Sequence, residues 1–154
     1  VTADRRFDSI ADIVAFAVAR EIDAAAGYAR IADRAGTPGL RRLAEELRDQ
    51  ELEHRRLLEG LTAAALSRLG AGSAPDLQIV DGLADEPLAA DMTLQEMLIF
   101  AAKKEAQAIA LYESLARLAG SSGPEGLFRF LVGQEREHKL RIEAEYERRI
   151  LMEN

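Results

Sequence analysis

A shift of 84 residues lays one half of this chain on the other. It places Ser9, Phe16, Glu21, Tyr28, Gly36, Leu43, Leu47, Glu51 and His54 on Thr93, Phe100, Glu105, Tyr112, Gly120, Leu127, Leu131, Glu135 and His138. Residues 16–59 share 17 identities with residues 100–143. Alanine and leucine supply some of these by composition alone, so the weight rests on the uncommon residues: both histidines of the chain, two of its three tyrosines and four glutamates. Two duplicated units are therefore expected, and any fold proposed for one must serve the other.

Each unit opens on a helix-start signal, Ser9-x-x-Asp12 and Thr93-x-x-Glu96, in which a hydroxyl and an acid three residues on can satisfy each other's backbone amides. From Ile10, the positions Ile13, Ala17, Glu21, Ala24, Tyr28 and Ile31 recur at spacings of three and four, as on one face of a helix that ends before Gly36-Thr37-Pro38-Gly39. A second helix is predicted from about Leu40 to Leu69, with Leu43, Leu47, Glu51, His54, Leu58 and Leu61 on its stripe. The second unit predicts helices from about Thr93 to Ala119 and from about Glu125 to Leu151, separated by a turn from Gly120 to Pro124. The short turns imply two antiparallel hairpins, residues 9–69 and 93–151. The stretch 70–92, with Pro75 and Pro87, is long enough to cross between them. Neither hairpin can bury its apolar face alone, so the expected fold is all-α: a single antiparallel four-helix bundle over residues 1–154.

At 154 residues, 31% charged and 48% hydrophobic, the chain has the composition of one globular domain. A net charge of −7 disfavours nucleic acid, whose phosphates need clustered cations. Apolar runs such as Ile13 to Ala19 fall short of the roughly 20 residues a bilayer requires. Asp12 and Arg20 close that run, so it reads as neither membrane span nor signal peptide. With no cysteine there is no disulfide or thiolate chemistry, and a cytoplasmic location is expected.

The stripes contain residues that do not belong in an apolar core. Glu51 and His54 share a helix face, four residues after Leu47 and four before Leu58, and Glu135 and His138 repeat this between Leu131 and Ile142. Glu21 and Glu105 interrupt the other two stripes. A lone Glu-x-x-His is ordinarily a surface ion pair. Two in register, each with a further buried-stripe glutamate, bring four carboxylates and two imidazoles together. Such a cluster is costly to bury unless neutralised, and no Lys or Arg occupies these stripe positions. Two divalent cations would balance four carboxylates, and a donor set without thiolate suits iron, manganese or zinc. Tyr28 and Tyr112 follow the helix glutamates by seven residues, and are read either as hydrogen-bond donors to ligating carboxylates or as core aromatics. Phe16 and Phe100 are expected in the core, and Glu53, Glu137, Arg20, Lys103 and Lys104 on solvated faces.

On Glu21 with Tyr28, Glu51-Leu-Glu-His54, Glu105 with Tyr112, and Glu135-Arg-Glu-His138, the sequence resembles the rubrerythrin branch of the ferritin-like superfamily from Ser9 to about Leu151. The resemblance implies a ferritin-like bundle with a non-haem di-iron centre held by Glu21, Glu51, His54, Glu105, Glu135 and His138. It implies an oxidoreductase that reduces hydrogen peroxide or oxygen, with Glu51 and Glu135 bridging the ions. Two features depart from that branch: there is no four-cysteine rubredoxin-like site, so an external electron donor is required, and Ala102 stands where rubrerythrins tend to carry an additional glutamate. The alternatives are a non-enzymatic iron carrier or storage protein, a dimanganese catalase, and a purely structural bundle. A homodimer is the expected assembly.

Overall fold

The computed structural model describes residues 9–61, 65–66, 88–89, 91–120 and 123–153. Among the described residues are four long helices: α1 (Ile10–Arg34), α2 (Pro38–Glu59), α3 (Leu94–Ala119) and α4 (Pro124–Glu153). No strand occurs among the described residues.

The helix starts follow from local chemistry. The Ser9 side chain accepts from the Asp12 N–H, and Thr93 and Glu96 form a full capping box, each side chain meeting the other residue's backbone N–H. Thr37 caps α2, and Pro38 sits in its first turn, where a missing N–H costs nothing. At the end of α3, Gly120 adopts φ 60 and ψ −128, a backbone state that residues with a Cβ rarely enter, and its N–H closes on the carbonyls of Ala116 and Arg117.

The second helix differs from its expected span of Leu40 to Leu69. It begins at Pro38 because Thr37, not a residue further on, satisfies the free N–H groups. It ends at Glu59, where the Gly60 N–H bonds to the carbonyls of Arg56 and Leu58. The apolar periodicity runs on past this point, but glycine weakens a helix by about 1 kcal/mol relative to alanine, and the chain turns there. Ala65 and Leu66 are helical again. Most of the expected crossover, with Pro75 and Pro87, lies outside the described residues.

Helix α1 packs along α2 and α3 along α4, while α1 also meets α3 and α2 meets α4. The apolar side chains gather in two clusters. One joins Ile13, Val14 and Ala17 of α1, Leu58 of α2, Leu111 and Leu115 of α3, and Phe128 and Leu131 of α4. The other joins Tyr28 and Ile31 of α1, Leu40 and Leu47 of α2, Met97 and Leu98 of α3, and Ile142 of α4. Along every helix, the glutamates and histidines singled out above fall between the two clusters. Beyond the second cluster, Arg30 donates to the carbonyls of Leu88 and Ala89, and Arg34 to that of Met92, fastening the approach to α3 onto the last turns of α1.

Core packing should dominate stability. Leu111→Ala, at a fully buried position, is expected to cost about 2–5 kcal/mol in denaturant unfolding, whereas Leu140→Ala, 68% exposed, should stay within about 0.5 kcal/mol. Equal losses would mean that α3 does not pack as described.

Candidate metal centre

Glu21, Glu51, His54, Glu105, Glu135 and His138 are all buried, none more than 2% exposed. They meet in the layer between the two apolar clusters. The Nδ1 atom of His54 lies 3.1 Å from Glu135 Oε1, 3.5 Å from Glu51 Oε1 and 3.7 Å from Glu21 Oε2. The Nδ1 atom of His138 lies 2.9 Å from Glu51 Oε1, 3.4 Å from Glu135 Oε1 and 3.8 Å from Glu105 Oε2. Each contact of one histidine has its counterpart on the other under the 84-residue shift. The two imidazole rings stack with centroids 5.6 Å apart and planes at 12°. Glu51, His54, Glu135 and His138 offer ligand atoms within 4.8 Å of one another and can hold a metal ion.

Hydrogen bonding separates the atoms that face this centre from those that support it. The Tyr28 hydroxyl donates to Glu105 Oε1 at 2.5 Å, and the Tyr112 hydroxyl donates to Glu21 Oε1. The rings of both tyrosines lie in the apolar clusters, and their hydroxyls meet a carboxylate instead of reaching solvent, each that of the other half's glutamate. The remaining oxygens of Glu21 and Glu105, both oxygens of Glu51 and Glu135, and the Nδ1 atoms of both histidines are buried with no hydrogen-bond partner. Buried lone pairs normally find donors, because each one left bare costs about 1–3 kcal/mol. Here eight of them converge. Such a concentration fits a cation, which satisfies lone pairs without supplying a proton.

The electrostatics lead to the same place. Burial and the surrounding carboxylates push Glu51 and Glu105 well above the ordinary carboxylate range. Burial opposes charge on Glu135 too, but the close approach of His54, Glu105 and Glu51 outweighs it and holds the carboxyl down to about 2. For His54, burial favours the neutral ring and is outweighed by Glu135 and Glu21, which raise it to about 10. His138 is lowered by burial and by the neighbouring His54, against the pull of Glu135. Burial and the charges of Glu105 and Glu21 raise Tyr28 and Tyr112 well above the ordinary phenol value, so both remain donors. Without a cation, then, Glu51, Glu105 and His54 hold their protons more tightly than they would in water.

Several neighbours depart from their expected places. Arg20, read as solvated, is half-buried: its guanidinium donates to the Lys104 carbonyl at 2.7 Å, and Nη1 is buried without a partner. Burial would lower its pKa, but Tyr112, Glu21, Glu135 and Glu105 outweigh burial, so a permanent cation stands beside the carboxylate layer. Stripe counting missed it because an arginine reaches well beyond the face its Cα occupies. Lys104 lies half-buried over the Phe100 ring at 5.2 Å, whereas Lys103, Glu53 and Glu137 are exposed as expected. Phe16 and Phe100 are half-buried, Phe16 packing on the first cluster. Gln50 was not anticipated: its Oε1 lies 2.5 Å from His138 Nε2. The signal was present, since the repeat carries Gln50 onto Gln134, directly before Glu135.

No family profile and no curated protein sequence matches the chain. Among solved structures, it is similar to a hypothetical protein from Pyrococcus furiosus, with 22% identity and a TM-score of 0.69 over 91% of this chain and 89% of that one. At that identity the likeness speaks to the fold, which the two chains share nearly end to end.

Proposed function

We propose that the chain is a binuclear non-haem metal protein of the rubrerythrin-like, ferritin-like kind, with two iron ions held by Glu21, Glu51, His54, Glu105, Glu135 and His138, and that it reduces hydrogen peroxide or oxygen. The observation that carries this reading is the set of eight buried lone pairs without donors. Divided evenly between two ions, they would offer each one imidazole nitrogen and three carboxylate oxygens, with Glu21, Glu51, Glu105 and Glu135 supplying the oxygens. Four carboxylates also balance two divalent ions in charge. Carboxylate and imidazole donors with positions left over are the mark of non-haem iron sites that take up oxygen species. The sharing of each apolar cluster by the N-terminal part of one helix and the C-terminal part of its hairpin neighbour supports the antiparallel, ferritin-like arrangement.

Bound iron would supply the two electrons needed to break an O–O bond, with two protons taken up and two waters formed from each peroxide. The protein's part is to shape and dry the site. Tyr28 and Tyr112 each tie down one oxygen of a glutamate, leaving the other oxygen aimed inward. The two apolar clusters exclude water on either side. Since the chain holds no cysteine, electrons must arrive from an external donor.

Ferrous iron should bind at two equivalents per chain, and the reduced protein should consume peroxide over many turnovers when a reductant is supplied. Stoichiometric uptake without turnover would make the protein an iron carrier, and activity with manganese alone would make it a catalase. Metal at about 100 times Kd should add about 2.7 kcal/mol for each ion bound, or roughly 5–10 °C in Tm per ion. Glu51→Ala should abolish most of that gain, while Glu53→Ala, at an exposed position, should leave it intact. An unchanged gain in Glu51→Ala would misplace the site.

The metal-free form should respond to pH in a defined direction. Glu51, Glu105 and His54 have raised values in the fold, so their contribution is complete at low pH and is lost as pH rises through those values. For His54 the loss runs between 6.5 and about 10. Chelated protein should therefore melt at progressively lower temperature from pH 6 to pH 9, while the gain from added metal grows over the same range as protons cease to compete. A metal effect independent of pH would argue against these ligands.

A further inference from the structure

A ligating histidine uses one ring nitrogen, and the other carries a proton that needs an acceptor if it is buried. Both histidines here turn Nδ1 toward the carboxylates. The proton of each neutral, ligating ring must then sit on Nε2. For His138 the acceptor is in place, Gln50 Oε1 at 2.5 Å, reaching from α2 to α4. For His54 it is not: Nε2 is buried and has no hydrogen-bond partner.

The site is otherwise paired across the two halves. Tyr28 to Glu105 answers Tyr112 to Glu21, and His54 to Glu135 answers His138 to Glu51. The operation that exchanges these pairs carries Gln50 onto Gln134 and His138 onto His54. Resting on the metal reading above, we infer that Gln134 is the acceptor for His54 Nε2–H in the loaded protein, and that Gln50 and Gln134 are a matched pair of positioning residues. Each glutamine reaches across to the histidine of the other half and fixes the tautomer that presents Nδ1 to the metal. Both are half-buried, so the amide nitrogen can stay hydrated while the oxygen accepts. The choice of amide has a chemical sense. A carboxylate at these two positions would add two negative charges to a site whose four carboxylates already match two divalent ions. Glutamine fixes the ring without disturbing that balance.

The test uses the whole chain loaded with zinc, which is diamagnetic and suits the same donors. Zinc affinity, measured by competition with a chromophoric chelator, should fall 10–100-fold in Gln134→Ala and by a similar factor in Gln50→Ala. Gln134→Glu, which keeps an acceptor but adds a charge, should retain the slow exchange of the His54 proton that Gln134→Ala loses. In 15N NMR spectra of the zinc-loaded wild type, both histidines should show Nε2–H tautomers with protons slow to exchange. Gln134→Ala should speed exchange of the His54 proton and leave that of His138 unchanged, and Gln50→Ala should do the reverse. These signals report the individual bond, which a general loss of stability would not separate. Failure of the wild type to bind zinc or ferrous iron would remove the metal reading itself. Zinc binding with Gln134→Ala indistinguishable from wild type, in affinity and in His54 exchange, would overturn the inference while leaving the metal centre standing. An effect of Gln50→Ala alone would also overturn it, since the bond would then exist on one side only.

Discussion

Placing four carboxylates and two imidazoles in a dry layer is the constraint that organises this protein. The desolvation cost of a buried charge is several kcal/mol even after the surroundings relax. The fold meets that cost by local means at every atom it can reach. One oxygen of Glu21 and one of Glu105 are capped by tyrosines, and one nitrogen of His138 by a glutamine. Of what remains uncapped, the carboxylate oxygens and the two Nδ1 atoms converge between the helices, while His54 Nε2 is left bare on the far side of its ring. The apolar clusters on both sides hold the helices near enough for the layer to close, so packing and chemistry are parts of one design.

Much of this was legible in the chain because two independent periodicities coincide. The helical spacing identified which residues face inward, and the 84-residue repeat identified which of those belong together. Neither would have sufficed: Glu51 and His54 alone describe a surface pair on an amphipathic helix, and a repeat alone describes any duplicated bundle. Their conjunction placed all six buried residues, including Glu21 and Glu105, which have no histidine beside them.

What escaped the sequence did so for physical reasons. Helix α2 stops at Glu59 although its apolar pattern continues, because periodicity records which face is buried and not where hydrogen bonding ends. Gln50 and Arg20 escaped because each lies one position before a glutamate of the site, about 100° around the helix, where face-counting predicts solvent. Long side chains defeat that count. The tyrosines were placed on the right face, but the sequence gives no means of telling that Tyr28 serves Glu105 and not its own Glu21; only the crossing of the helices decides it.

That crossing sets a rule about parts and wholes. Tyr28 answers a glutamate 77 positions away and Tyr112 one 91 positions away, so each half holds an acid whose donor belongs to the other. A solitary hairpin would be left with a bare carboxylate and a phenol with nothing to bind, and could not close a layer of its own. Two identical hairpins related by a twofold axis could close one with the same atoms. Covalent linkage adds no ligand to that symmetric pair. It releases the pair from having to stay identical, and Arg20 beside its counterpart Lys104, with the arginine spanning to the lysine's carbonyl, is one place where the two halves have used that freedom.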